Sequence, residues 1–130
     1  METLAVRTSS RTDLRDITGE VASAVARTGV EEGACIIFVP HTTAGVTINE
    51  NADPAVRQDI ASTLDRMVPW DGPYRHGEGN SAAHVKSTLV GFSTMVPVSG
   101  GRLVLGTWQG IYFCEFDGPR ARKVHVRVVP

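Results

Sequence analysis

No apolar run in this chain approaches the roughly 20 residues that a membrane-crossing helix requires, so no membrane span is expected. An excess of charge of one sign is also missing. Thirteen Lys and Arg stand against 14 Asp and Glu, a formal net charge of -1, and the basic stripe of a general nucleic-acid binder is absent. Cysteine is scarce: Cys35 and Cys114 each sit alone in an apolar stretch, ACIIFV and IYFCEF. With no CxxC pair, zinc-ribbon and redox-motif readings have no support. Two buried, reduced thiols acting as small hydrophobes are expected; a disulfide between neighbouring strands is the alternative, disfavoured in a reducing compartment. The first residues, METLAVRTSSRTD, lack the apolar core of a signal peptide, which makes the cytoplasm the expected location. There is no internal repeat and no low-complexity segment. At 130 residues the chain is long enough for one real core and too short for two, so a single domain over 1–130 is expected.

What is present alternates strand and helix patterns. Residues 2–8 read as a strand. Thr18 reads as the N-cap of a helix with Val21, Ala24, Val25 and Thr28 at helical spacing and Gly29 just past its end. ACIIFVP is an uninterrupted apolar run of strand length, expected to be buried on both faces. Pro40 closes it, HTTAG follows as a polar turn, and VTINEN reads as a shorter strand. Asp53-Pro54 marks a helix start, with Asp as cap and Pro at the first helical position. That helix carries Val56, Ile60, Leu64 and Met67 on one stripe, with Arg57, Gln58, Asp65 and Arg66 facing away. PWDGPYRHGEG (69–79) is a loop by composition. A short helix then starts at Asn80 or Ser81 and stops at Gly91. The remainder reads as strands around a Gly100-Gly101 turn and a DGPR turn, giving an α+β domain of packed, mostly antiparallel strands with flanking helices.

The candidate chemistry gathers at histidine. His125 falls on the polar side of an alternating strand, and an exposed structural role is expected for it. His41 begins a polar turn after an apolar strand, His76 lies in the Gly-rich loop, and His84 stands in the first turns of a helix. No HExxH-type spacing joins them, so spacing alone is weak support for a metal. Asn49, Glu50, Asn51 and Asp53 crowd one strand end, and Glu78 and Asn80 flank His76. Imidazoles suit Zn²⁺, whereas carboxylates and amides suit Mg²⁺. Three imidazoles would leave an open position, as catalytic zinc sites do. The rival chemistry is direct phosphate binding by the histidines, helped by helix N-termini. Both place the same residues in one site, and sequence separates neither. Glu115 interrupts an apolar strand and needs a partner; Arg120 or Arg122, just across the DGPR turn, would serve, with an ion pair at a subunit contact as the more conservative reading.

The segments HTTAGVTINENADP (41–54), HGEGNSAAHVKSTLVG (76–91) and GRLVLGTWQGIYFCEFDGPR (101–120) resemble the YjbQ-like family, also described as the secondary thiamine-phosphate synthase family. The resemblance runs in order from about residue 3 to the end. It implies two sheets with flanking helices, assembled as a homotrimer, and a polar site suited to a divalent metal, Zn²⁺ or Mg²⁺. It implies metal-site roles for His41, His76 and His84, with Glu50, Asp53 and Asn80 beside His41 in the chemistry. Lys86, Thr107 and Gln109 are then expected to hold the ligand, and Glu78 to join the site. The activity the name implies joins a pyrimidine methyl diphosphate to a thiazole phosphate with loss of diphosphate; Lys86, Arg75 or Arg120 would supply charge to phosphate oxygens. The dedicated enzyme of that reaction resembles a TIM barrel of about 250 residues, which this chain cannot be, so the name implies a weak or substituting activity. Metal-dependent hydrolysis of a small substrate and non-catalytic binding of a metabolite or metal are the other functions expected from such a site.

Overall fold

Eight strands form two sheets, and the main core lies where their inner faces meet. The computed structural model describes residues 1–130 and gives the order β1 (Glu2–Arg7), β2 (Asp13–Asp16), α1 (Thr18–Thr28), β3 (Glu32–Phe38), β4 (Ala44–Glu50), α2 (Pro54–Met67), α3 (Ser81–Val90), β5 (Ser93–Ser99), β6 (Arg102–Leu103), β7 (Gln109–Glu115) and β8 (Ala121–Val129). The five-stranded sheet runs β1-β8-β3-β5-β6 and the three-stranded sheet β2-β7-β4. Every pairing is antiparallel. Cys35, Ile37, Val96, Val98, Val124 and Val126 of the larger sheet meet Val46, Ile111 and Phe113 of the smaller one. Val21, Ala24 and Val25 of α1 complete this core, which is the α+β arrangement of packed antiparallel sheets and helices that the sequence predicts.

The outer face of the smaller sheet is covered by α2 and α3. Leu14, Tyr112, Cys114 and Phe116 pack there with Ala83, and Ile60, Leu64 and Trp70 close over them. β7 is therefore buried on both faces, from Gly110 to Glu115. β3 is not, contrary to its apolar sequence. Cys35 and Ile37 are buried, but on the other face Ala34 and Ile36 are only half-covered and Phe38 is exposed. No element of this chain lies over that outer face of the larger sheet.

Local signals at the helix ends account for most boundaries. Asp53 Oδ1 accepts from the Ala55 N–H at 2.9 Å, with Pro54 beginning α2; such a cap stabilises a helix by about 1 kcal/mol. Gly29 ends α1 at φ 70°, a left-handed conformation that costs glycine little. Thr18 departs from its expected capping role. It is the first helical residue, the cap position falls to Ile17, and the Thr18 hydroxyl accepts from the Ile111 N–H at 2.8 Å. β2 ends one residue short of that donor, so a side chain takes over from the ladder. β2 itself was not legible in the sequence because its four residues, DLRD, hold one apolar side chain. On α2 the apolar stripe stops at Leu64: Met67 is exposed, and Val68 is buried in its place. Arg57 and Asp65, expected to face solvent, bind neighbours. Arg57 donates to the Leu14 carbonyl at 3.3 Å, and Asp65 pairs with Lys86.

Candidate functional site

The β3–β8 ladder ends at Phe38 opposite His125. Continued by two more pairs, it would set Pro40 opposite Lys123. Pro40 instead leaves the sheet, and the His41 ring takes the ladder position: Nε2 accepts from the Lys123 N–H at 2.9 Å. Thr42 and Thr43 then lead into β4. Three other segments converge on the same place. The loop 69–79 delivers His76 and Glu78, the first turn of α3 delivers Asn80 and His84, and the β7–β8 turn delivers Asp117 and Arg120. Together they line a cleft of about 520 Å³ with no hydrophobic residue in its wall. The first N–H groups of a helix have no intrahelical acceptor, so α3 adds positive dipole at this end.

Beneath the cleft lies a buried ion pair. Glu115 is fully buried, and both of its oxygens are engaged by Arg122. Thr8 Oγ1 donates to Glu115 Oε1 at 2.7 Å, and the Asp117 N–H to Oε2 at 3.0 Å. Arg122 Nη2 reaches on to Thr43 Oγ1 at 2.8 Å. Burial would raise the Glu115 pKa, but the hydrogen bonds from Arg122, Thr8 and the Asp117 N–H outweigh it, and the carboxyl is held below its ordinary 4.5. The pair lies within one chain and not at the subunit contact expected for it, and Arg122 is the partner of Glu115. It ties β1, β7, β8 and the His41 turn into one rigid floor.

The upper wall is also networked. Asp117 Oδ2 accepts from Asn80 Nδ2 at 2.9 Å and from Arg120 Nη2 at 3.0 Å. That orients the Asn80 amide and leaves its Oδ1 with no protein partner. His76 and His84 meet edge to face with centroids 5.5 Å apart, and Glu78 Oε1 lies 3.9 Å from His76 Nε2. Desolvation, followed by the nearby Arg122 charge, lowers the His41 pKa below 6.5; the ring is neutral at pH 7.

Of the residues predicted from sequence, His41, His76, His84, Glu78, Asn80 and Arg120 come together here. Glu50, Asp53, Thr107 and Gln109 do not. In the β4–β7 register Ala44 faces Glu115, whereas Glu50 faces Gln109 at the opposite end, roughly 20 Å away along the strand. There Asp53 caps α2, Gln109 Oε1 closes a turn on the Gly106 N–H at 2.8 Å, and Tyr112 donates to the Glu50 carbonyl at 3.0 Å. Lys86 is likewise corrected: it is buried and bonded to Asp65, away from the cleft. Arg75 is absent from the cleft wall as well. Sequence reading overlooked Thr42, Thr43 and Asp117, although HTT and DGPR contain them. His125 has the structural place expected of it, stacked on Phe38 and bonded to Thr3 Oγ1 at 2.9 Å.

The fit of a metal can be tested on the donor set. No three imidazole, carboxylate or thiolate groups stand together as ligands. His41 has its Nε2 lone pair occupied by Lys123. As arranged, the three imidazoles do not form a three-histidine centre. What the cleft does offer is hydrogen-bond donors and cationic groups on one side and a few acceptor oxygens on the other, a combination that recognises a polar anion. Cys35 and Cys114 take no part. They are buried in different sheets, free, and pushed up to about 11 and about 12 by burial.

Comparison with known proteins agrees with the fold. Residues 2–130 match the family described as UPF0047 protein YjbQ-like. The UPF0047 protein YugU of Bacillus subtilis is 52% identical over 130 residues, covering 99% of this chain and 98% of that one. A UPF0047 protein of Methanocaldococcus jannaschii is 49% identical, covering 95% and 90%. The crystal structure of an uncharacterised conserved YjbQ/UPF0047-family protein from Clostridium acetobutylicum superposes with a TM-score of 0.98 at 51% identity, over 99% and 100% of the two chains. That of a protein of unknown function from Sulfolobus solfataricus gives 0.94 at 34%, over 98% and 94%.

Proposed function

Since the chain belongs to the YjbQ-like, UPF0047 family, we propose that its polar cleft binds the phosphate or diphosphate of a small phosphorylated metabolite, with thiamine-phosphate synthesis as the reaction to assay first. One observation carries this reading: a cleft with no hydrophobic residue in its wall gathers three histidines, Arg120 and Arg122 at the N-terminus of a ten-residue helix. Each group has a place in it. Arg120, held by Asp117, presents its remaining donors. His76 and His84 flank the helix end, and the α3 dipole favours negative charge there. Arg122 acts from below, its charge balanced by Glu115. In the synthase reaction such groups would stabilise the departing diphosphate.

Isothermal titration with inorganic diphosphate and a phosphomonoester tests the binding. Arg120→Ala and His84→Ala are each expected to weaken it about tenfold, since a hydrogen bond to a charged group contributes about 1.5–3 kcal/mol. A chain that binds neither ligand, or whose affinity ignores both substitutions, overturns the reading. Turnover is read separately, as diphosphate released from the pyrimidine methyl diphosphate in the presence of the thiazole phosphate.

Binding without turnover is the second reading, and one observation favours it over hydrolysis by a side-chain nucleophile. None of the three cleft imidazoles is hydrogen-bonded to a Ser, Thr or Cys nucleophile; the bond from the Lys123 N–H to His41 is their sole short contact with a polar protein atom. We also propose assembly as a homotrimer, which the resemblance implies. The uncovered outer face of the larger sheet, with Phe38 44% and Met95 61% exposed, supports burial against another copy.

A further inference from the structure

A backbone N–H can only donate. The 2.9 Å contact from the Lys123 N–H therefore requires a lone pair on His41 Nε2, and the proton of the neutral ring must reside on Nδ1. Nδ1 has no partner in the chain, while the ring borders the cleft beside Thr42 and Arg122. The register explains why the ring is held this way: Pro40 vacates the place opposite Lys123, and the imidazole fills the gap as acceptor. An imidazolium would put a second N–H against Lys123, so the same contact opposes protonation.

We propose that His41 is a fixed neutral donor, presenting its Nδ1–H to an oxygen of the bound phosphate, and is neither a proton acceptor nor a metal ligand through Nε2. The proposal rests on the phosphate reading of the cleft and adds the role, tautomer and contact atom of one residue. It also defines what the ligand must offer at this point, an unprotonated oxygen.

Two measurements test it. In the ligand-free wild type, long-range ¹H–¹⁵N correlation of the His41 ring is expected to show the proton on Nδ1 at neutral pH; a proton on Nε2 overturns the proposal. Inorganic phosphate titrations then compare two variants. His41→Asn keeps an N–H donor the same number of bonds from Cβ as Nδ1 and is expected to bind within about threefold of wild type. His41→Gln carries its amide one bond further out, so its Oε1 can satisfy Lys123 while no N–H stands at the Nδ1 position, and it is expected to bind about tenfold more weakly. Wild-type affinity in His41→Gln sinks the donor role even if the tautomer is as expected. If the wild type ignores phosphate while Nδ1 carries the proton, the phosphate reading fails, and the proposed contact with it, whereas the ring geometry stands.

Discussion

Glu115 shows how much one side chain can hold in place. Its carboxylate gathers Arg122, Thr8 and the Asp117 N–H, so Glu115→Ala leaves a buried guanidinium uncompensated. A loss of about 3–5 kcal/mol is expected, read by urea denaturation; the pair replacement Glu115→Leu with Arg122→Met should lose less, because no charge is orphaned. The pair also sets an acid limit. The folded pKa of Glu115 lies below 4.5, so its stabilisation is complete above that pH and is lost as pH falls through the folded value. His41 acts at a higher pH. With its folded pKa below 6.5, the unfolded chain binds a proton first as pH falls past 6.5, and stability declines there. His41→Asn should flatten that part of a stability–pH profile measured between pH 5 and 7, while the acid limb set by Glu115 remains. A profile unchanged by the substitution would contradict the depressed His41 value. These residues also mark what sequence could tell. The need of Glu115 for a cation was readable from IYFCEF, but the choice between Arg120 and Arg122 depends on where the DGPR turn places each head group.

Two ladders end in the same way at the scale of elements. Thr18 accepts the donor left over by β7, and His41 the one left over by β8. In each case a side chain next to a strand end replaces a missing carbonyl. Such substitutions follow from register, which a single sequence does not display, so Thr18 read as a helix cap and His41 as a free ligand. Helix α3 was legible from Asn80 to Gly91, and its mooring was not. Its C-terminal end is fixed where the Gly91 carbonyl accepts from the Val46 N–H at 3.1 Å, beside Gly45. A Cβ on Gly45 would lie 2.5 Å from that carbonyl oxygen, a backbone atom with little room to yield. Gly45→Ala is expected to cost about 1–3 kcal/mol and to shift α3, so that phosphate binding at its other end weakens too. Intact binding together with full stability in that variant would show that α3 is moored elsewhere. The absence of Glu50, Asp53, Thr107 and Gln109 from the cleft has a similar origin. They stand in the same motifs as the cleft residues, but a seven-residue strand separates the two ends of each motif.

For the whole molecule, class and order of elements were readable because apolar periodicity, caps and turns agreed with the final packing. The apolar run of β3 misled because its outer face is covered by nothing in its own chain. If that face meets other copies, Phe38→Glu should convert a homotrimer to monomer in light scattering after size-exclusion chromatography. An unchanged mass would place the contact elsewhere. The two thiols offer a different view of the same architecture. Cys35 lies in the larger sheet and Cys114 in the smaller, 0% and 1% exposed and with pKa values of about 11 and 12. Both should resist an aqueous thiol reagent in the native state and react once the chain opens. Each sheet therefore carries its own chemical clock. Equal labelling rates, resolved by peptide mass under conditions where opening limits reaction, would mean that the two layers come apart as one cooperative unit; a faster Cys114 would mean that the smaller sheet and its helices lift away first.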